Sequence, residues 1–343
     1  MKAAILVKNK SDLQLKDIEL PKKLNFGQVL VKVKYSGICG AQINEIDGVK
    51  GKDIYLPHLL GHEGTGIVEK IGEGVKNVSV GDHVVMHWRQ NNGIQCEVPK
   101  YMLKGKTINA GWVTTFNEKA ICSENRLTRI PKSFDLKTAT LFGCSLTTAF
   151  GVVNNDAKIK IGQSVIIIGI GGVGLNIAQA CNLVSANPII GLDLHKNKLK
   201  LGKKFGLTHA LMNDSNIKSK IKKILNNKLA DVVIETTGIS KLIETAYELT
   251  NDEGKTILVG VPKNKIKIYS LPLHFNKILK GSHGGGTIPN IDINNYISLF
   301  NSRNIKLDKL ITHEFSLNNI NKAIKLFRTG KAGRIIINMD KTK

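Results

Sequence analysis

The 343-residue sequence predicts an α/β fold, in which a doubly wound parallel sheet is inserted into a second, partly β domain. The length favours about two domains, and it is enough to bury a core without disulfides. The early part of the chain has alternating apolar residues and many glycines, and a later part has continuous apolar runs. The first pattern is typical of half-buried strands. The second is typical of parallel strands that helices cover on both faces.

The β-rich pattern occupies the first 145 residues. Val29, Val31 and Val33 alternate with other side chains, which is the period of two expected for a strand with one buried face. Glycines recur at short intervals up to about residue 81, as expected for a chain with many turns. We therefore predict that residues 1–145 form most of one domain.

The parallel sheet is predicted within residues 146–283. Continuous apolar runs alternate with helical segments there, as a βαβ arrangement requires. The predicted strands are 165–168, 189–192, 231–234 and 256–259, and the clearest helical segments are 196–205 and 241–249. After about residue 284 the pattern changes to two helices and a closing strand, at 294–300, 317–327 and 334–338. We predict that residues 284–343 return to the first domain.

A glycine-rich turn is the strongest local motif. Its pattern is G-x-G-x-x-G, and its positions of interest are Gly169, Gly171, Gly172, Val173 and Gly174. The turn follows an apolar run and opens a helix, which is the context that the dinucleotide-binding fingerprint requires. Glycines there let backbone N–H groups approach a pyrophosphate at the helix N-terminus. We therefore predict a Rossmann domain that binds a dinucleotide.

Asp193 indicates which dinucleotide is bound. It stands nineteen residues after Gly174, at the end of the next predicted strand. A carboxylate there accepts hydrogen bonds from the adenosine ribose and repels a 2′-phosphate, which favours NAD over NADP. Lys196, Lys198 and Lys200 are close enough in the sequence to hold a phosphate, so NADP stays open as the less favoured alternative.

Two cysteines and a histidine form a candidate metal site. Cys39 follows the alternating strand, His62 follows Gly61, and Cys144 precedes the predicted parallel sheet. Two thiolates and one imidazole are a ligand set that zinc prefers, with a fourth position left for water or substrate. Spacing alone does not join three residues so far apart, and a single buried cysteine is commonly just a small apolar residue.

The segment that begins Gly61-His62-Glu63-Gly64 and continues to Val75 resembles the zinc signature of the zinc-dependent medium-chain dehydrogenases. That superfamily includes alcohol, sorbitol and threonine dehydrogenases. The resemblance spans the whole chain, and three separate motifs fall in the same order. It implies a GroES-like catalytic domain around the Rossmann domain. It also implies reversible hydride transfer between NAD(H) and an alcohol or carbonyl substrate, in a homodimer or homotetramer.

The resemblance also implies roles for individual residues. Cys39, His62 and Cys144 would bind one catalytic zinc, and Glu63 would support them or act as an alternate fourth ligand. The residues implied at the cofactor are Thr148 near the nicotinamide, Val173 behind the cofactor, Lys198 beside the adenosine ribose and Arg334 at the pyrophosphate.

The chain departs from the family pattern at two places. Family members with a second, structural zinc have four closely spaced cysteines in a lobe where this chain has only Cys96. The resemblance therefore implies that a structural zinc is absent. The second departure is Ala41, where a Ser or Thr commonly passes the alcohol proton onward, with Asn44 further along. Because Ala41 cannot relay a proton, the proton must leave by another route.

Trp88, Arg89 and Trp112 are the candidate substrate residues. By the resemblance, Trp88 follows a strand that ends at the zinc. Aromatic faces commonly carry sugar rings, and an Arg fork can hold an anionic group with two hydrogen bonds. We therefore expect a polyol, a sugar or a sugar phosphate as substrate. The alternative is that both tryptophans are packing residues and that Arg89 is a surface charge.

The net charge of +23 leaves one further class of protein open, the nucleic-acid-binding proteins. Such an excess can indicate a protein that binds nucleic acid, but only six of the 50 cations are Arg, and aromatics are 5% of the chain. We therefore expect solvated surface lysines, with no nucleic-acid or membrane partner.

The competing enzyme class is a zinc-free quinone or enoyl reductase of the same superfamily. Five scattered cysteines and no signal-peptide pattern predict a cytoplasmic protein.

Overall fold

A computed structural model describes residues 1–49, 51–302, 305–307 and 309–342. These residues form two compact units. The first unit contains Met1–Cys144 and most of the residues from Ile288 onward. The second contains Ser145–Thr287 and a short stretch that ends at Lys306.

Strands are numbered here in chain order. They are β1 (Lys2–Leu6), β2 (Gln14–Asp17), β3 (Gln28–Gly37), β4 (His58–Leu59), β5 (Glu63–Ile71), β6 (His83–His87), β7 (Tyr101–Leu103), β8 (Lys106–Ile108), β9 (Lys119–Ser123), β10 (Leu127–Ile130), β11 (Val165–Ile168), β12 (Ile189–Asp193), β13 (His209–Met212), β14 (Ala230–Glu235), β15 (Thr250–Leu258), β16 (Ile278–Gly281), β17 (Ile311–Ser316) and β18 (Arg334–Asn338).

The α-helices are numbered in the same way. They are α1 (Gly40–Ile46), α2 (Leu136–Ala139), α3 (Ser145–Gly151), α4 (Gly172–Leu183), α5 (Lys196–Lys204), α6 (Ile217–Ile224), α7 (Ser240–Leu249), α8 (Pro289–Asn301) and α9 (Ile320–Arg328). A π-helix at Val152–Ala157 follows α3. Short 3₁₀ segments lie at Glu124–Arg126, Thr140–Gly143, Leu271–His274, Gly284–Gly286, Leu317–Asn319 and Met339–Lys341.

In the described part of the chain, no single helix is both long enough and apolar enough to cross a membrane. One bent pair, Leu136–Gly143 with Ser145–Ala157, meets that test by length and composition alone.

The second unit contains a six-stranded sheet in the order β13-β12-β11-β14-β15-β16. Every pairing in it is parallel. This is the 3-2-1-4-5-6 order of a doubly wound dinucleotide-binding sheet, so the predicted fold class is confirmed. The central strand β11 is buried at every position, because helices cover both faces of a parallel sheet. Ile166 and Ile168 lie in its core with Ile190 and Val233.

The first unit is built on a sheet in the order β10-β6-β5-β3-β18-β17, with β9 also paired to β3. The closing strand β18 pairs antiparallel with β3, which carries the C-terminal part of the chain back to the first unit. On β3, Val29, Val31 and Val33 face the main core, as the alternation predicts. Leu30 is also buried, because it packs in a second core with Tyr101 and Ile121.

Strand β15 differs most from its sequence prediction. It was expected at 256–259, but it runs over Thr250–Leu258. Its first half contains polar and glycine residues, and the pairing with β14 shifts register between Ala230 and Val232. A bulge of this kind leaves no apolar run that a pattern search detects.

Candidate metal centre and nucleotide site

The pairing of β3 with β5 brings the first two candidate ligands together. These strands are antiparallel neighbours, with Ser36 opposite Gly64. Cys39 follows the end of β3, and His62 immediately precedes the start of β5. Because the end of one strand lies beside the start of its antiparallel partner, the two side chains converge at one edge of the sheet.

The third ligand is held there by the segment that follows α2. The Thr65 hydroxyl on β5 donates to the carbonyl of Leu136 at 2.8 Å, which anchors α2 on the sheet. At Gly143, a Cβ would lie 2.7 Å from the carbonyl oxygen of Met86, so only glycine lets the backbone pass this close. Cys144 comes directly after that close approach.

Cys39, His62 and Cys144 form a cluster that fits a metal ion. One ligand atom from each residue lies within 4.8 Å of the other two. Zinc bonds of about 2.3 Å to sulfur and about 2.0 Å to nitrogen place tetrahedral ligand atoms about 3.5–3.8 Å apart, and separations of this size fall within the 4.8 Å limit on the cluster. The Nε2 of His62 is buried and has no hydrogen-bond partner among the described residues. A buried imidazole nitrogen with no partner beside two thiols matches a three-ligand zinc site with one open position.

The thiol of Cys39 is prepared for metal binding by its neighbours. The hydrogen bond from the Cys144 thiol, and then the charges of His62 and Arg334, hold the pKa of Cys39 well below its ordinary value. Burial acts in the opposite direction, but its effect is the smaller one. Because the thiolate is the form that ligates metals, this shift favours binding at neutral pH.

Gln42 is a site residue that the sequence analysis missed. It is buried on α1, and its side-chain amide contacts the Nδ1 of His62. The backbone N–H of Cys39 donates to its Oε1 at 3.3 Å. One amide therefore touches two of the three ligand residues, and it orients the imidazole so that Nε2 faces the thiols. The spacing of three from Cys39, at the start of a helix, is a capping-box signal that a search could have used.

Glu63 and Arg334 form a buried ion pair beside the cluster. The Glu63 side chain has no exposure, and Arg334 is 4% exposed. Gly37 makes room for the carboxylate, since a Cβ there would lie 2.4 Å from its Oε1. Arg334 reaches the site because the Ile38 N–H donates to the carbonyl of Ile335 at 3.1 Å.

The pair has further bonding capacity. The Glu63 Oε2 and the Arg334 Nε are buried without hydrogen-bond partners among the described residues. The carboxylate is not in the three-residue cluster, and it faces Arg334 instead. Zinc ligation by Glu63 and pyrophosphate binding by Arg334 therefore stay predictions.

The glycine turn in the second unit has the geometry of a nucleotide cradle. Gly169 follows β11 with a φ of +92°, a value that favours glycine. A Cβ at Gly174 would lie 2.0 Å from the carbonyl oxygen of Gly169, so the helix could not approach the turn with any other residue. A Cβ at Gly171 would meet no atom within 4 Å, so this backbone faces open space. Gly172 and Val173 begin α4, whose N-terminus provides the free N–H groups for a pyrophosphate.

Asp193 lies at the same edge of the sheet as the turn, because β12 is the parallel neighbour of β11. Its Oδ2 accepts from the Ile170 N–H at 2.8 Å, and its Oδ1 accepts from the His195 N–H at 2.9 Å. These bonds fix the carboxylate beside the glycine turn. Lys198 is half-buried on α5, and Thr148 is buried on α3.

The candidate substrate residues lie in the first unit, next to two arginine side chains. The Arg89 Cζ lies 6.0 Å from the ring centre of Trp88. Trp112 is 51% exposed, and the Cζ of Arg126 lies 4.9 Å from its ring centre. The sequence analysis did not single out Arg126, and no local pattern around it marks the contact. Substrate binding by Trp88, Arg89 and Trp112 stays a prediction.

His87 joins the metal centre to this aromatic region. It is the last residue of β6, and it is paired with Glu63 across the sheet. Its Nδ1 donates to the carbonyl of Arg89 at 2.7 Å, and its Nε2 lies 3.0 Å from the Thr128 hydroxyl. Burial lowers the pKa of His87 to about 4, so the ring is neutral at physiological pH.

Comparison with known families identifies both units. A family model described as "Alcohol dehydrogenase GroES-like domain" matches residues 25–132. A second one, described as "Zinc-binding dehydrogenase", matches residues 172–302. The first range contains Cys39 and His62, and the second begins within the glycine turn.

Individual relatives match almost the full length of the chain. "Alcohol dehydrogenase 6" of Peromyscus maniculatus is 31% identical over 98% of this chain and 97% of its own length. The crystal structure of benzyl alcohol dehydrogenase from Acinetobacter calcoaceticus has a TM-score of 0.87 at 25% identity, covering 98% of both chains. A zinc-binding-domain alcohol dehydrogenase protein from Burkholderia ambifaria has a TM-score of 0.89 at 23% identity, again over 98% of both chains. At 23% identity, the similarity to the Burkholderia ambifaria protein shows a shared fold and nothing further.

Replacing Gln42 should weaken zinc binding. We expect the Gln42→Ala variant to bind zinc about 10- to 100-fold more weakly, because His62 loses the group that orients it. Competition with a chromophoric chelator measures this affinity. Gln14→Ala, the same change at an exposed position, is the control and should bind like the parent chain. Equal zinc affinity in the Gln42→Ala and parent proteins would contradict the assigned role.

The buried neutral His87 should make stability depend on pH. Its pKa is about 4 in the folded chain, against an ordinary 6.5, so the unfolded chain binds the extra proton between these values. Folding stability should therefore fall as pH drops from 6.5 to 4, by on the order of 3 kcal/mol. Urea unfolding of His87→Gln should show a flatter pH dependence over this range, and exposed His313→Gln should follow the parent. If the parent chain and His87→Gln lost the same amount of folding stability between pH 6.5 and 4, the pH dependence could not be assigned to His87.

Proposed function

The chain belongs to the zinc-dependent medium-chain dehydrogenases and is an alcohol dehydrogenase-type oxidoreductase. From that premise we propose that it binds one catalytic zinc per chain and uses NAD. We propose further that it oxidises a polyol, a sugar or a sugar phosphate, or reduces the corresponding carbonyl compound. The observation that most strongly supports the catalytic zinc is the convergence of Cys39, His62 and Cys144, one ligand atom from each lying within 4.8 Å of the others. The Nε2 of His62 is buried there without a hydrogen-bond partner among the described residues.

The residues of the first unit hold the reacting group. Cys39, Cys144 and His62 would bind zinc and leave one position open to the substrate oxygen. When bound, zinc lowers the pKa of that oxygen, and nicotinamide accepts the hydride. Gln42 holds the imidazole in orientation. Arg334 neutralises Glu63, so the buried carboxylate does not stand uncompensated beside the thiolates.

The alcohol proton leaves directly to solvent in this proposal. Ala41 offers no hydroxyl, and its side chain is exposed at the start of α1. Asn44 is half-buried on the same helix, and an amide does not take up a proton at neutral pH. Neither residue therefore forms a relay, and water has access to this end of the helix.

Asp193 supports the preference for NAD. Its two carboxylate oxygens are already fixed by Ile170 and His195, and each oxygen keeps capacity for a ribose hydroxyl. A 2′-phosphate would bring like charge against a carboxylate that cannot turn away. Glycines Gly169, Gly171 and Gly174 provide the backbone surface for the pyrophosphate.

Exposed apolar side chains support self-association of the chain. Tyr269, Leu271, Phe275 and Ile278 are exposed at or near β16, which is the last strand of its sheet. An unpaired sheet edge with apolar residues beside it is a common site of association. We propose a homodimer or a homotetramer in the cytoplasm, where thiols remain reduced. None of the five cysteines forms a disulfide with another in the described part of the chain.

A combined metal and activity assay tests the function. Purified protein should contain about one zinc per chain and should reduce NAD with at least one member of a panel of polyols, sugars and sugar phosphates. Chelation should abolish this activity, and added zinc should restore it, because the alcohol oxygen needs the metal. Metal-free protein that still reduces quinones or enoyl substrates would refute the proposal in favour of the zinc-free class. Retention of DNA at physiological salt in a gel shift would support the nucleic-acid-binding class instead.

Removing the charge of Asp193 should relax cofactor preference. We expect Asp193→Ser to raise kcat/KM for NADP relative to NAD by at least about fivefold, since a like charge near a phosphate costs about 1 kcal/mol or more. Serine keeps an acceptor for the backbone N–H groups. Asp252→Ser removes an exposed carboxylate at the start of β15, far along the strand from the turn, and is the matched control. An unchanged NADP to NAD ratio in Asp193→Ser would exclude the carboxylate as the discriminating group.

A further inference from the structure

The glycine turn of the second unit is bonded to both strands that neighbour β11. On the β12 side, the Asp193 Oδ2 accepts from the Ile170 N–H at 2.8 Å. On the β14 side, the Thr236 hydroxyl lies 2.9 Å from the carbonyl oxygen of Gly169 and 3.0 Å from that of Ile168. One O–H group makes both contacts, so its hydrogen is shared between the two carbonyls. The turn is therefore held from two sides.

Thr236 lies at the edge of the sheet where a dinucleotide is expected. Strands β11 and β14 are parallel neighbours, with Ile168 opposite Glu235, so the residues that follow them share one edge. The strand order reverses between β11 and β14, and a doubly wound sheet binds its dinucleotide in the crevice at that reversal. The Thr236 N–H also donates to the Ile168 carbonyl at 3.0 Å. Backbone and side chain together fix Thr236 to the end of β11.

The close fit of Thr236 against the turn depends on the first glycine of the motif. A Cβ at Gly169 would lie 2.5 Å from the Thr236 Oγ1, so a larger residue would displace the hydroxyl. A Cβ at Gly174 would lie 2.0 Å from the carbonyl oxygen of Gly169, the same oxygen that the hydroxyl contacts. This carbonyl is therefore enclosed between the first turn of α4 and Thr236.

The two side-chain bonds act on one peptide group. The C=O of Gly169 accepts from Thr236, and the N–H of Ile170, in the same peptide, donates to Asp193. Because a peptide group is planar, bonds at its two ends fix the orientation of the whole group. The next residue is Gly171, whose backbone faces open space. The backbone that would meet a pyrophosphate therefore begins at a peptide whose orientation is fixed.

Thr236 is itself held by Glu235, whose side chain is fully buried. The Glu235 Oε1 accepts from the Thr237 N–H at 2.7 Å and from the Thr237 hydroxyl. Its Oε2 accepts from the Gly238 N–H at 3.0 Å. The backbone carbonyl of Glu235 accepts from the Val259 N–H at 2.8 Å, which ties this segment to the end of β15. Both neighbours of Thr236 along this segment are thus fixed.

The position of Glu235 disfavours a carboxyl group. No basic side chain among the described residues pairs with it, and burial raises its pKa. A buried carboxyl group of this kind costs stability unless its oxygens are hydrogen-bonded. Both oxygens are bonded to the residues that follow Thr236. The contribution of Glu235 is therefore the fixed geometry of that segment.

We propose that Thr236 is a positioning residue for the dinucleotide, and that Glu235 supports it. Thr236 acts through the glycine turn, by keeping the Gly169 carbonyl in the orientation that binding requires. A turn that is already in its binding conformation saves the free energy of ordering it. This inference rests on the proposed binding of NAD, and it adds to the glycine motif a hydroxyl that comes from a different strand.

Titration of the full chain with NADH, followed by NADH fluorescence, measures the effect. Thr236→Val keeps the shape of the side chain but replaces the hydroxyl with a methyl group. We expect its Kd for NADH to rise about 5- to 30-fold, since a lost hydrogen bond lowers the population of the binding-competent turn. Thr236→Ser keeps the hydroxyl and should bind NADH as the parent does. If Thr236→Val does not fold, Thr236→Ala replaces it.

Thr245→Val is the matched control. The Thr245 hydroxyl also donates to a backbone carbonyl, that of Lys241 on α7, at 2.9 Å. The substitution therefore removes the same kind of bond from the same unit, away from the glycine turn. We expect Thr245→Val to bind NADH with the affinity of the parent chain, and circular dichroism and thermal melting accompany every variant.

Hydrogen exchange without nucleotide shows whether Thr236 acts through the turn. A peptide that covers residues 165–176 should exchange faster in Thr236→Val than in the parent and in Thr245→Val, because the turn opens more readily. Glu235→Gln should accelerate exchange at residues 236–238 and also weaken NADH binding, since an amide N–H₂ would face a backbone donor. If folded Glu235→Gln matched the parent in both measurements, Glu235 would not support Thr236.

Three results would overturn the role of Thr236. The first is equal NADH affinity in the parent and in the folded variant that lacks the hydroxyl. The second is an equal loss of affinity in Thr236→Ser, because the hydroxyl would then not be the group that matters. The third is weaker NADH binding without faster exchange at the turn. A parent chain that does not bind NADH would refute the proposed cofactor together with this inference, whereas a parent chain that binds it can fail the inference alone.

Discussion

The buried ion pair between Glu63 and Arg334 is the interaction on which the first unit depends. It joins the start of β5 to the start of β18, two strands that are far apart in the sequence. Removing either partner of a buried ion pair destabilises the fold, because the remaining charge is left buried and uncompensated. Gly37 and Gly143 leave the space that the Glu63 side chain fills. The closing strand is therefore held at the metal centre by charge as well as by sheet pairing.

The metal ligands take their positions from the same strands. Cys39 follows β3 and His62 precedes β5, so the register of one antiparallel pair fixes two of the three ligands. Polar side chains then set the orientation: Gln42 holds the imidazole, and Thr65 anchors the segment that leads to Cys144. The site is rigid because each ligand either adjoins a strand or follows a segment that is hydrogen-bonded to a strand. Preorganisation of this kind lets a cysteine and histidine set bind metal tightly.

The sequence predicted the parts that depend on local pattern. The strand β11, the glycine turn and the returning strand β18 were predicted from apolar runs and from a motif in its context. Joining Cys39 to Cys144 needed the family resemblance, because no local rule connects residues so far apart. Gln42 and Thr236 could not be ranked as site residues, since their roles follow from contacts that only folding creates. The burial of Leu30 in a second core, on the other face of β3, was missed for the same reason.

X-ray absorption at the zinc edge tests the central claim most directly. That claim is that one zinc is held by two thiolates and one imidazole, those of Cys39, Cys144 and His62. The spectrum of the purified protein should show two sulfur neighbours at about 2.3 Å and one imidazole nitrogen at about 2.0 Å, with a light atom in the fourth position. A shell of oxygen and nitrogen alone, or of four sulfurs, would contradict the account.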